Sequence, residues 1–404
     1  MADRLGIPKK IWRSVLNRYY SALHDPRTME AYKRFLNRLP LQNNKIVMDN
    51  YEGRGYGESP KYIAEELLKR DPRYRIIWLT FNPNSTFPKG VIPVYKDSFR
   101  AYYECATAKA WVFNTRCGKL LEKRDGQVFL QTWHGGVALK KVEKDAMPAL
   151  TEGYIKAAQY DGQAADGIIV DGKLNEDLFE TSFWLSPSCE RLKFGMPRID
   201  VLIQEQNNQE LKRKVRKELG IADDSFFVLY APTFRKKDSF EGYLTDFPKV
   251  REAFEERFGK VEIAVRLHPN DVRLLARYRE SYASSLVDAT KYPDVQELVL
   301  AADCVITDYS SIAYDFAIIR KPVFLLMTDA ETYKSERGVY DTFYDQPFTM
   351  NYNEQMLVEE IRGFSAEDYI RRVDRFYEKY PTFNDGHAAE KSVDWLIEKG
   401  VRAT

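Results

Sequence analysis

The chain has 404 residues, with 61 Lys plus Arg against 60 Asp plus Glu and a formal net charge of +1. That length predicts two or three domains, and a composition 44% hydrophobic and 30% charged excludes a mainly disordered chain. The charge balance excludes a general nucleic-acid binder, which would show a clear basic excess.

The first element is a helix. Ile11, Trp12, Val15, Leu16, Tyr19, Tyr20 and Leu23 recur every three to four residues, with Lys9, Lys10, Arg13 and Arg18 beside that face. A basic amphipathic helix carrying Trp and Tyr suits a membrane interface, and it equally suits docking on the protein itself. From Lys45 the pattern changes to short apolar runs at Lys45–Asp49, Arg75–Thr80, Val91–Tyr95, Ala110–Asn114, Val128–Gln131 and Gly167–Val170. Helical stretches such as Pro60–Arg70 and Phe99–Thr107 separate several of them. Repeated βα units predict a parallel sheet covered on both faces.

The charged segment Ile203–Leu219 reads as a helical joint, and a second βα series follows. Its strands are expected at Phe226–Ala231, Val261–Leu267, Cys304–Thr307 and Val323–Leu326, with helices at Val295–Ala302 and Ile312–Ile319. The tail from Glu354 to Lys399 reads as helices. The expected division is an N-terminal segment 1–40, an acceptor domain 41–200, a donor domain 201–370 and C-terminal helices 371–404. The fold class is α/β, with two Rossmann-like domains facing a central cleft, and ligands in such sheets bind beyond the carboxyl ends of the strands. Cys105, Cys117, Cys189 and Cys304 lack Cys-x-x-Cys spacing and are expected as buried thiols of a reducing compartment. No secretory leader and no run of 18 apolar residues is legible.

Four expected strand ends carry polar clusters. Thr132-Trp133-His134-Gly135-Gly136 puts an imidazole on a glycine turn with exposed N–H groups, which suits a general base beside an anion. Ala231-Pro232-Thr233-Phe234-Arg235 brings a hydroxyl and a guanidinium, and Arg266-Leu267-His268-Pro269 a cation and an imidazole. Thr307-Asp308-Tyr309-Ser310-Ser311 precedes an apolar helix, whose N-terminus attracts phosphate. Plain alternatives stand beside these: Ser310 as an N-cap, His268 as a satisfied strand-end residue, Arg235 as the partner of a carboxylate. No Gly-x-x-x-x-Gly-Lys-Ser/Thr loop is present, which excludes a P-loop kinase, and no Asp-x-Asp pair offers a simple metal clamp.

These clusters, together with Ser59-Pro60-Lys61-Tyr62-Ile63, Gly195-Met196-Pro197-Arg198, Asp315-Phe316, Lys321-Pro322 and Asp385-Gly386, resemble the CDP-glycerol glycerophosphotransferases of teichoic acid synthesis. The resemblance runs from about Asp49 to Gly386. It implies a glycosyltransferase-B-like fold and transfer of a polyol phosphate from CDP-glycerol or CDP-ribitol to an acceptor hydroxyl, releasing CMP. It further implies an undecaprenyl-diphosphate-linked acceptor at the cytoplasmic face of the membrane, which favours the membrane reading of Ile11–Leu23. It assigns His134 as the base and His268, with Arg266, as a contact to the donor diphosphate. Thr233, Arg235, Asp308, Ser310, Ser311 and Gly135 are expected on the donor, and Glu297 on its ribose by analogy with other two-domain transferases. No metal and no cofactor is implied, and nucleic acid is not an expected partner. After His134-Gly135 the family usually continues Thr-Pro-Leu-Lys, whereas this chain has Gly136-Val137-Ala138-Leu139-Lys140, which points to a different acceptor or polyol. The modest length favours addition of one or a few units. A nucleotide-sugar glycosyltransferase of the same fold, and a binding module that keeps the fold without the chemistry, are the other readings.

Overall fold

The computed structural model describes residues 9–117, 122–137, 139–235, 242–267, 276–278, 280 and 286–404. Seven strands form the first sheet: β1 Gln42–Asp49, β2 Arg75–Thr80, β3 Val91–Tyr95, β4 Ala108–Phe113, β5 Val128–Gln131, β6 Gly167–Ile169 and β7 Glu190–Leu192. Six form the second: β8 Phe226–Tyr230, β9 Val261–Val265, β10 Leu286–Asp288, β11 Cys304–Thr307, β12 Val323–Leu326 and β13 Met350–Asn351. The orders are β3-β2-β1-β4-β5-β6-β7 and β10-β9-β8-β11-β12-β13, and every pairing is parallel. Both sheets are the doubly wound kind expected from the repeated βα units, with site residues falling beyond their carboxyl ends.

Alternation along the strands divides the first sheet between two cores. Ile46, Met48, Ile76, Trp78, Ala110 and Val112 bury on one face, while Val47, Ile77, Leu79, Trp111 and Phe113 bury on the other. The first of these cores runs on through Met196, Ile199 and Leu202 into Val228, Leu229 and Ile306 of the second sheet. One continuous apolar core therefore joins the two sheets along the helix Pro197–Glu205.

The expected joint Ile203–Leu219 is two helices, Pro197–Glu205 and Gln209–Leu219. Asn208 interrupts them because its side chain caps the second, accepting a hydrogen bond from the Leu211 N–H at 2.9 Å. Strands β7, β10 and β13 were not foreseen; they are two or three residues long and sit on or beside sheet edges, too short to show a period. The tail forms helices Glu354–Arg362, Ala366–Lys379 and Ala388–Glu398. The four cysteines are free and buried.

The first helix spans Lys9–His24. Its apolar face is divided: Leu23 is buried and the Tyr19 hydroxyl accepts from the Phe99 N–H at 3.0 Å, while Val15 is 51% and Tyr20 42% exposed.

The last helix returns to the first sheet. Trp395 lies against Gly167, where a Cβ would come within 2.8 Å of the indole, and its Nε1 donates to Glu190 at 3.1 Å. Trp395→Ala is expected to cost about 3–5 kcal/mol as a large buried truncation. A urea melt checks this through a lowered midpoint at unchanged m.

Candidate active site

The chain leaves β5 through a strained turn. Trp133 adopts φ +55°, which a bulky residue takes only when held there, and the Gln131 side chain accepts its N–H at 2.9 Å. His134 follows, half-buried, its ring centroid 4.4 Å from Trp133 and 5.3 Å from Tyr51. Its Nδ1 lies 2.7 Å from the Asn114 carbonyl, so Nδ1 carries the proton and Nε2 is the nitrogen left to receive one. Burial, with Lys140, Arg116 and Arg198 nearby, lowers the imidazole to about 4. Gly136 allows close approach to Asp171, whose Oδ2 would lie 3.0 Å from a Cβ there. Burial pushes Asp171 up to about 6.

Across the cleft, the turns after β8 and β11 lock together. Asp308, buried, accepts from the Thr233 N–H at 2.9 Å and hydroxyl at 2.6 Å, and from the Arg235 guanidinium at 2.7 Å. Arg235 also pairs with Asp329 at 2.8 Å and donates to the Thr233 and Gly242 carbonyls. All five of its N–H groups are thereby occupied, as in the carboxylate-partner reading. A direct phosphate contact from Arg235 would require exchanging one of these acceptors. Asp308 likewise organises this turn.

Arg266 is different. Its Nη1 donates to the Ala289 and Tyr292 carbonyls at 3.1 and 2.7 Å, while Nε and Nη2 have no hydrogen bond to a described residue. Ser310 Oγ lies 3.4 Å from the Ile312 N–H, and Ser311, at the start of helix Ile312–Ile318, makes no side-chain cap bond. Both hydroxyl groups keep donor capacity. Glu297 accepts from the Tyr292 hydroxyl at 2.5 Å. His268, the other expected catalytic residue, lies outside the described residues.

The two halves meet around residues with no role assigned from sequence. Arg198, 3% exposed, pairs with Asp315 on helix Ile312–Ile318 and with Glu58 at 3.3 Å. Lys61 and the Tyr62 hydroxyl reach Asp294 across the same boundary. A cavity of about 30 Å³ is lined by Gly136, Asp171, Arg198, Tyr314 and Asp315, so the turn after His134 and the helix after Ser311 come together there. Burial raises Glu58 to about 7. The sequence signal for this group was the spacing of Glu58 and Lys61, three apart and so on one helical face.

Two parallel sheets with their strand ends turned to a shared cleft, one bearing a neutral imidazole and the other guanidinium and hydroxyl donors unspent among the described residues, define a glycosyltransferase-B-like transferase. Comparison with known proteins makes this specific. Residues 31–398 match the family described as CDP-glycerol:poly(glycerophosphate) glycerophosphotransferase, and the chain belongs to that family. It is 31% identical to the teichoic acid poly(glycerol phosphate) polymerase of Staphylococcus epidermidis over 88% of this chain, and spans only about half, 51%, of that protein's length. It is 27% identical to the teichoic acid glycerol-phosphate transferase of Staphylococcus aureus over 89% of this chain and 94% of that one. The solved wall teichoic acid polymerase TagF superposes with a TM-score of 0.81 at 28% identity, covering 97% of each chain.

Because His134 is held neutral, protonation favours the unfolded chain. Its contribution to stability is complete above the 6.5 of a free imidazole and is lost as pH falls through about 4. An imidazole NMR titration, assigned with His134→Gln, is expected to show a midpoint near 4; a midpoint near 6.5 would contradict the burial argument.

Proposed function

We propose that this enzyme transfers a polyol phosphate, glycerol phosphate first among the candidates, from a CDP-activated donor to a hydroxyl of a lipid-linked glycan. The observation that carries this reading is His134: a neutral imidazole whose Nδ1 is committed to a backbone carbonyl, opposite Arg266, Ser310 and Ser311 donors that are unspent among the described residues. The acceptor oxygen attacks the β-phosphorus, and its proton passes to His134 Nε2. The bond from that phosphorus to the bridging oxygen breaks, and CMP leaves with the oxygen. Arg266, Ser310, Ser311 and the Gly135 backbone bind the donor phosphates, and His268 is assigned the same role from the family resemblance. Thr233, Arg235 and Asp308 shape the turn that receives them, while Glu297 is assigned to the ribose. Positioning and charge neutralisation supply most of the rate, and no resident metal or cofactor takes part in this scheme.

The proposed acceptor hangs on undecaprenyl diphosphate, which puts the reaction at the cytoplasmic face of the membrane. No described helix is long and apolar enough to cross a bilayer. Val15 and Tyr20 are exposed on the basic helix Lys9–His24, as a surface-binding helix requires.

CMP release from CDP-glycerol or CDP-ribitol, with and without a soluble analogue of the lipid-linked disaccharide, tests the reaction. Acceptor-dependent CMP from one donor is expected. His134→Ala is expected to keep donor affinity and lose at least 100-fold in turnover, at the low end for a general base; undiminished CMP release would remove it from that role. Release of a nucleoside diphosphate from a nucleotide sugar would select the glycosyltransferase alternative. Val15→Glu with Tyr20→Glu should abolish co-sedimentation with anionic liposomes, and unchanged binding would put the membrane contact elsewhere.

A further inference from the structure

We propose that Arg198 is a positioning residue for the transfer, holding the His134 turn and the donor-side helix Ile312–Ile318 at one spacing by pairing with a carboxylate from each half. This rests on the reaction proposed above and adds a residue that acts through others.

The path can be followed residue by residue. Tyr51 packs its ring 5.3 Å from His134, and its hydroxyl lies near the Glu58 carboxylate. Glu58 opens helix Glu58–Arg70 at φ +59°, a left-handed conformation that a non-glycine residue keeps only when its surroundings hold it. Glu58 pairs with Arg198, and Arg198 with Asp315, which lies four residues beyond Ser311 on the donor-side helix. Gln296 donates to Asp315 at 3.0 Å, and its own N–H is accepted by Asp294 at 2.9 Å. Asp294 in turn receives Lys61 and Tyr62 from the helix that carries Glu58. The loop after His134 is tied as well, since the Tyr340 N–H donates to the Leu139 carbonyl at 3.0 Å and the Lys141 N–H to the Gly338 carbonyl at 3.1 Å.

Stability is a poor explanation for such a cluster. A guanidinium and two carboxylates give up hydration when buried, and apolar side chains of the same volume would usually hold the halves together as well or better. What a charge-assisted hydrogen bond such as that from Arg198 to Asp315 supplies, with Glu58 held by charge on the other side, is direction that apolar contacts lack. An in-line displacement needs it, because about 1 Å of misplacement between attacking oxygen and phosphorus costs about 100-fold in rate.

The test uses the full chain with spin labels on Lys69→Cys and Glu331→Cys, whose native side chains are 72% and 89% exposed in different halves. The four native cysteines are buried, so the labels go where intended. With Arg198 intact a single narrow distance is expected. Arg198→Met should broaden or lengthen it, leave the CDP-glycerol dissociation constant within threefold, and lower CMP release at saturating donor and acceptor about 100-fold; Arg198→Lys should recover part of both. An unchanged distance distribution, or turnover within threefold, overturns the proposal. If Arg198→Met fails to fold, the combination with Glu58→Gln and Asp315→Asn removes the unpaired buried charges and carries the same measurements. A chain that consumes no CDP-polyol would defeat the transfer reading, while the label distance still decides whether Arg198 sets the spacing.

Discussion

A guanidinium buried as deeply as Arg198 must find carboxylates, and the two it finds belong to different halves of the molecule. Its position at the start of helix Pro197–Glu205 matters, because that helix also carries Ile199 and Leu202 into the core shared by both sheets. One apolar core joins the two sheets, and the charged contacts at the cleft cross the same boundary. The geometry at the cleft mouth follows from both.

The two sides of the cleft solve different electrostatic problems. Around His134 the positive neighbours and the burial act in the same direction, each disfavouring the imidazolium, so the ring is neutral at neutral pH. On the facing side positive charge is partly cancelled in place: Arg235 is neutralised by Asp308 and Asp329 and serves to fix the turn. Among the described residues Arg266 has two carbonyl acceptors, which use one nitrogen only. A cleft built this way carries its positive charge in a few placed groups and not as a broad basic surface, in keeping with the near-zero net charge of the chain.

Strands with continuous apolar runs, such as Arg75–Thr80 and Val323–Leu326, were legible with their bounds because burial on both faces leaves an unbroken signal. Glu190–Leu192 and Met350–Asn351 were not, since a neighbouring strand's hydrogen bonds define them more than their own side chains do. The break at 206–208 was missed because Ile203–Leu219 reads as one charged helical pattern, and a single Asn cap is a weak interruption in it.

The sequence by itself determined the fold class, the family and the clusters at the strand ends, because those depend on local periodicity and on short runs of chemically distinctive residues. It also contained Glu58, Arg198 and Asp315, but nothing local connects residues separated by 140 and 117 positions. Only the tertiary structure decided that these three share one buried site, that Arg235 spends its donors on Asp308, Asp329 and two backbone carbonyls, and that the Asn114 carbonyl sets the tautomer of His134. The physical reason is the same in each case: a buried charge or ring nitrogen takes its character from its partners, and the fold supplies them from distant parts of the chain.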